Sequence, residues 1–265
     1  MSLHWSAHIS WLFGELPYLE RVGAARAAGF RSIETIWPAV EADRAGLPAV
    51  VAEHGLDVAL LNCFAGDVER GERGFLNDPA RREEAELAFL AAAELAGQLG
   101  AHNLNLLVGR ALPHVSLERQ RATVLEVLGT LAAEAQARGL RILLEPLNAI
   151  EHPGFLAATP DAAAALIERC GSDALGLLLD LYHVARAGGD PIAQIERYAP
   201  LIGHVQIADH PGRGQPGSGA LDVWGILESL DGGGYTGAIG LEYEPRGTTE
   251  SSLEFLHDGR AAMYL

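Results

Sequence analysis

Lysine is absent from this chain: all 19 basic residues among its 265 are arginine, set against 35 acidic ones. Without a lysine amine no Schiff base can form, which excludes aldolases and isomerases of that type. The phosphate-binding loop that ends in Gly-Lys-Ser/Thr is excluded as well. Positive charge is scarce overall, and the net charge of −16 argues against a nucleic-acid partner, whose phosphates it would repel. Cysteine is also rare. Cys63 and Cys170 match no metal or redox spacing, and read as buried free thiols of a reducing cytosol. No apolar run approaches twenty residues, and no basic segment followed by an apolar one marks the N-terminus. The expectation is a cytoplasmic protein with no membrane span.

What is present is alternation. Strand-like segments at 3–10, 32–37, 58–62, 103–108, 140–145, 175–180, 201–208 and 238–242 are separated by helix-like ones. The helices are expected near 16–28, 47–53, 79–99, 117–138, from 160 onward, 192–198 and 223–230, with a closing helix over 253–264. Asp78-Pro79 and Thr159-Pro160 each pair a capping oxygen with proline at the first helical position. Gly29, Gly55, Gly100 and Gly139 stand as stops. Eight βα units with no linker or repeat between them predict one α/β domain over 1–265, a single (β/α)8 TIM barrel.

In the second half, successive apolar runs end in oxygen-bearing side chains. Glu145 closes Leu140–Leu144, Asp180 closes Leu175–Leu179, Gln206 ends the run from Leu201, and Glu242 ends the run from Ala238. Strand C-termini of a parallel barrel open on one face, so these four groups converge there. Carboxylates buried together need a cation or shared protons. An all-oxygen donor set favours a divalent metal ion, Mg2+ or Mn2+, over zinc.

His183 follows Asp180 by three residues and is a further functional candidate. His204, two before Gln206, can also face inward. The loop Pro211-Gly212-Arg213…Gly217-Ser218-Gly219 is too polar for core. It reads as a substrate-enclosing loop with Arg213 forking onto a carboxylate or phosphate. Glu151 after strand 5 and Glu34 near the end of strand 2 are weaker candidates.

Several short segments, in this order, resemble the hydroxypyruvate isomerases. That family lies in the xylose-isomerase-like barrel superfamily, alongside tagatose and psicose epimerases. The segments are Ala65-Gly66-Asp67 with Gly71-Glu72-Arg73-Gly74, Glu145-Pro146-Leu147-Asn148 with His152-Pro153-Gly154-Phe155, Asp180-Leu181-Tyr182-His183, Gly203–Asp209, and Gly240-Leu241-Glu242-Tyr243. The resemblance implies Glu145, Asp180, Gln206 and Glu242 as metal ligands and Glu145 and Glu242 as the acid/base pair. It makes His183, Glu151 and Arg213 substrate contacts. His8, Gly214-Gln215 and Ala220 depart from the pattern at the expected barrel mouth and put the substrate's identity in question.

The expected activity is aldose–ketose isomerisation of a small hydroxy-oxo acid. Hydroxypyruvate would become 2-hydroxy-3-oxopropanoate by metal-assisted proton transfer through an enediolate. A four-carbon 2-oxo acid or C3 epimerisation of a ketose is the alternative, and homo-oligomerisation stays open. A phosphodiesterase of the endonuclease IV type would want more strand-end histidines and a basic groove. A non-catalytic sugar-acid binder would not need two bases.

Overall fold

The computed structural model describes residues 3–257 and 259–265. Among them, eight strands pair in chain order, all parallel, and the last pairs with the first to close a barrel. They are β1 (His4–His8), β2 (Ser32–Thr35), β3 (Asp57–Asn62), β4 (Asn103–Leu106), β5 (Arg141–Leu144), β6 (Leu175–Asp180), β7 (Ile202–Ile207) and β8 (Ala238–Leu241). Strands covered on both faces read as continuous apolar runs, and β6 is buried at every position. Leu60, Leu143 and Leu178 form an apolar cluster of their own, separate from the main core. Side chains two apart share a face of a strand. The residues two beyond Leu143 and Leu178 are Glu145 and Asp180, so the apolar cluster is the floor beneath them.

Helices cover the outside: α1 (Glu20–Ala27), α2 (Glu41–His54), α3 (Arg82–Leu99), α4 (Leu117–Arg138), α5 (Pro160–Cys170), α6 (Leu181–Arg186), α7 (Pro191–Tyr198), α8 (Val223–Gly232) and α9 (Thr249–Ser252). α3 shows why such segments are helical. Ala85, Phe89, Ala92, Ala93, Ala96 and Leu99 recur at helical spacing and are the buried side. The Asp78 side chain accepts from Ala80 N ahead of this helix, through one 3-10 turn, and Gly100 ends it at φ 66°. Ser116 and Thr159 cap α4 and α5 in the same way.

Three expectations need correction. α2 starts six residues early and runs through Pro48. Glu41 and Asp43 in its first turn favour that start, and burial of Leu47 and Val51 holds the helix to the barrel. The closing helix is not continuous: α9 is followed by 3-10 turns at Glu254–His257 and Ala261–Tyr264, with position 258 outside the described residues. Serine and glycine in this tail are poor helix formers, and anchoring comes instead from Trp5, which donates to Ala261 O and meets Phe255 and Tyr264 edge-on. Cys63 is buried as expected, but Cys170, at the exposed end of α5, is only half-buried. No helix among the described residues is long and apolar enough to cross a membrane.

Candidate active site

The barrel brings Glu145, Asp180 and His183 together, with one ligand atom of each within 4.8 Å of the others. Glu145 follows β5 directly, and Asp180 is both the last residue of β6 and the cap of α6, accepting from Tyr182 N at 2.8 Å. This cap was not anticipated, and it turns the chain so that His183 folds back over Asp180. His183 Nε2 lies 3.6 Å from Asp180 Oδ2 and 3.8 Å from Glu145 Oε1.

Burial and the neighbouring charges of Glu242 and Asp180 raise the Glu145 carboxyl well above its ordinary range. Burial pushes Asp180 up to about 7, with Arg213 acting against it and Glu242 with it. His183 is pressed the other way, first by burial and then by Arg213 and His152, and stays neutral. Its Nδ1 accepts from Asn148, whose Nδ2 is 2.6 Å away and whose Oδ1 is already taken by Glu151 N. The proton therefore sits on Nε2, which faces the carboxylates as a donor rather than a metal ligand.

Glu242 lies just past the end of β8, which stops one residue short of the expected strand. Its Oε2 accepts from Arg213 Nη2 at 2.6 Å, and the same nitrogen reaches Asp180 Oδ2 at 3.5 Å. Its Oε1 is 3.3 Å from His8 Nε2. Arg213 thus bridges two acids, stacked over Trp11 and Tyr182. Its backbone is left-handed at φ 50°, an uncommon conformation for a residue with a side chain. The loop that imposes it is tied by the Asp209 carboxylate, which accepts from the N–H groups of His210, Gly217 and Leu221. The expected enclosing loop is in this sense an ordered strap.

Gln206 is fully buried. Its Nε2 donates to Glu34 Oε2 at 3.0 Å, and its Oε1 has no partner among the described residues. An orphaned buried oxygen on the strand paired with Asp180, among acids that raise one another's proton affinity, fits a cation-binding site. The residues present suit an oxygen-ligated divalent ion.

Other candidates fall elsewhere. His204 faces inward, but it donates from Nε2 to Glu34 Oε1 at 2.8 Å, below the acids. Glu34 is the buried hub of that lower layer. Glu151 stands at the mouth near His152 and His183, but it braces the loop, accepting from Tyr182 Oη, Asn148 Nδ2 and Arg186 Nε. Asn105 went unnoticed in the sequence: its Nδ2 donates to Glu145 Oε2 at 2.6 Å. The polar alternation of Asn103 and Asn105 in β4 was the available signal.

A closed parallel barrel with acids at successive strand ends defines an enzyme of the TIM-barrel class. A family model described as a xylose isomerase-like TIM barrel matches residues 22–258. The hydroxypyruvate isomerase of Escherichia coli (strain K12) is 36% identical over 254 residues, covering 96% of this chain and 98% of that protein. The 2-oxo-tetronate isomerase of Cupriavidus necator is 35% identical over 251 residues, covering 95% and 96%. A crystal structure described as an AP endonuclease, family 2, from Brucella melitensis superposes with a TM-score of 0.91 at 31% identity, covering 97% and 98%. The chain belongs to the hydroxypyruvate isomerase family of xylose isomerase-like TIM barrels, and it is an isomerase.

Proposed function

We propose that this isomerase interconverts the ketose and aldose forms of a small hydroxy-oxo acid, with hydroxypyruvate and 2-hydroxy-3-oxopropanoate as the pair. The observation that carries this reading is the convergence of Glu145, Asp180 and Glu242, joined by His183 and Arg213, around a Gln206 oxygen left without a partner. The net charge of −16 speaks against a phosphodiester substrate.

Glu145, Asp180, Gln206 and Glu242 are the residues that would hold Mg2+ or Mn2+. When bound, such an ion supplies Lewis-acid polarisation of the substrate oxygens. The chain's own groups do the rest. Of Glu145 and Glu242, one takes a proton from C3 of hydroxypyruvate, and the other side of the site returns one to C2. The enediolate between them is common to both directions. A carboxyl whose proton affinity is raised by burial beside other acids, as at Glu145, holds an abstracted proton more readily than an ordinary carboxylate does. Asn105 orients Glu145, and Arg213 orients Glu242. His183 Nε2–H offers a donor to a substrate oxygen. Glu151 braces the mouth through Tyr182, Asn148 and Arg186, and the Asp209-tied strap excludes water.

The 35% identity to a 2-oxo-tetronate isomerase supports a four-carbon homologue as the second reading. NMR in deuterated water separates the two. Incorporation at C3 of hydroxypyruvate, accompanied by an aldehyde signal, is expected. Exchange confined to 2-oxo-tetronate moves the assignment there, and exchange in neither rejects both.

A further inference from the structure

In the loops after β3, β4 and β5, the chain is sewn together edge to edge. Gly74 forms a bridge with Val108, and Arg110 forms one with Phe155. Asn77 Nδ2 donates to Arg110 O at 2.7 Å, and Ala111 N to Gly154 O at 2.7 Å. The first stitch needs its glycine: Gly74 sits at φ 81°, and a Cβ there would run into the Leu107 carbonyl. This sewing holds Arg73, Arg110 and His152 at one corner of the mouth.

We propose that Arg73 and Arg110 form the carboxylate-binding end of the substrate site. The proposal rests on the hydroxy-oxo acid reading above. Arg213, the expected carboxylate fork, already spends its Nη2 on Glu242 and Asp180. Arg73 and Arg110 have no acid within ion-pair distance among the described residues. Arg73 Nη1 donates only to Val68 O and Glu72 O, which aims the guanidinium without neutralising it. The adjacent Glu72 carboxylate is turned away, taken by Arg81 and by Asp67 N.

Among the described residues the Arg110 guanidinium has no hydrogen-bond partner, and its Nε is buried. Nη1 of Arg110 approaches Gly71, within the same loop as Arg73. Two unneutralised guanidiniums side by side repel unless an anion lies between them. Burial, followed by the charges of Arg73, Arg110 and Arg213, holds the His152 imidazole down to about 4. A neutral ring is thus the neighbour of the anion, with a buried Nδ1 that has no partner among the described residues.

The charge of Glu145 also acts on Arg73, so this corner and the proposed base belong to one mouth. Two guanidiniums at the mouth of a site for a small hydroxy-oxo acid suit its carboxylate.

The test uses the full chain loaded with manganese. Calorimetric binding of glycerate is compared with that of its uncharged amide in wild type, Arg110→Met and Arg73→Met. Wild type is expected to prefer the acid by about 10- to 100-fold, the range for charge-assisted hydrogen bonds to a fork. Each variant should lose most of that preference while its manganese affinity stays unchanged, a combination that a merely structural role would not produce. Arg73 also steadies its own loop, so Arg110→Met decides if Arg73→Met unfolds. A preference retained in Arg110→Met, or absent from wild type, overturns the proposal. Inorganic phosphate binding more tightly than glycerate overturns it in favour of a phosphate ester. Failure of the hydroxy-oxo acid reading looks different: an Arg110-dependent preference for glycerate would remain, but no hydroxy-oxo acid would be turned over.

Discussion

Glu34 determines which end of the Gln206 amide faces the site. Its carboxylate accepts from Gln206 Nε2 at 3.0 Å and from His204 Nε2 at 2.8 Å. Burial alone would raise this carboxyl. The charge and hydrogen bond of His204, with His8 and Gln206, instead hold it below its ordinary value, so it remains an acceptor. With the Gln206 N–H anchored below, Oε1 must point up. Glu34→Gln places a second amide there, which can face Gln206 with nitrogen and free that side chain to flip. Manganese affinity, read by calorimetry, should fall about 10- to 100-fold, as for other residues that orient a metal ligand. The exchange Glu34→Gln with Gln206→Glu should restore much of it, because donor and acceptor have traded places. Unchanged affinity in Glu34→Gln would end this assignment.

The cation itself should register as stability. At a manganese concentration about 100 times Kd, linkage adds about 2.7 kcal/mol. For a domain of this size that raises Tm by about 5 to 10 °C. A melt that ignores both manganese and chelator would contradict the four-ligand site.

Glu145→Gln and Glu242→Gln should each lower turnover by at least about 100-fold, the lower end for a lost general base. Glutamine still offers an oxygen, so metal content should persist. If the two acids serve opposite ends of the transfer, one variant will still wash deuterium into C3 without completing isomerisation. Turnover at the wild-type rate in a metal-loaded variant removes that glutamate from the mechanism.

Glu151 carries a pH dependence whose sign can be worked out. Burial opposes its charge, but Tyr182, Asn148 and Arg186 outweigh that and bring it down to about 2 from 4.5. A depressed acid contributes stability above its unfolded value, and loses it as pH falls through the folded one. The difference in Tm between wild type and Glu151→Gln should therefore be full above about pH 4.5 and narrow toward pH 2. A difference that widens on acidification would refute the brace.

Glu145, Asp180 and Glu242 were legible because each closes an apolar run. In a parallel barrel that position and the catalytic face coincide. The strand period of two likewise put His204 on the same face as Gln206, but could not say that Glu34, from the far side of the barrel, would claim it. The eight-unit count needed only alternation, whereas the early start of α2 depended on burial against the barrel. Arg73 and Arg110 lie 37 positions apart in different βα units. Their meeting depends on loop-to-loop bridges that no local pattern encodes. Asp180 as a helix cap was hidden because its role as strand end looked sufficient.

The sewn corner has a consequence for how such a protein can diversify. Every proposed metal donor comes from β5 to β8 or the residue just past them, while the proposed acid-reading arginines come from the loops after β3 and β4. Reading of the carboxylate and transfer of the proton are therefore inherited on different halves of the chain. Loops 65–78 and 107–116, exchanged together with their mutual bridges intact, form a graft that could retarget the enzyme to uncharged sugars without touching a residue that moves a proton. Exchanged singly, either loop would arrive without its seam.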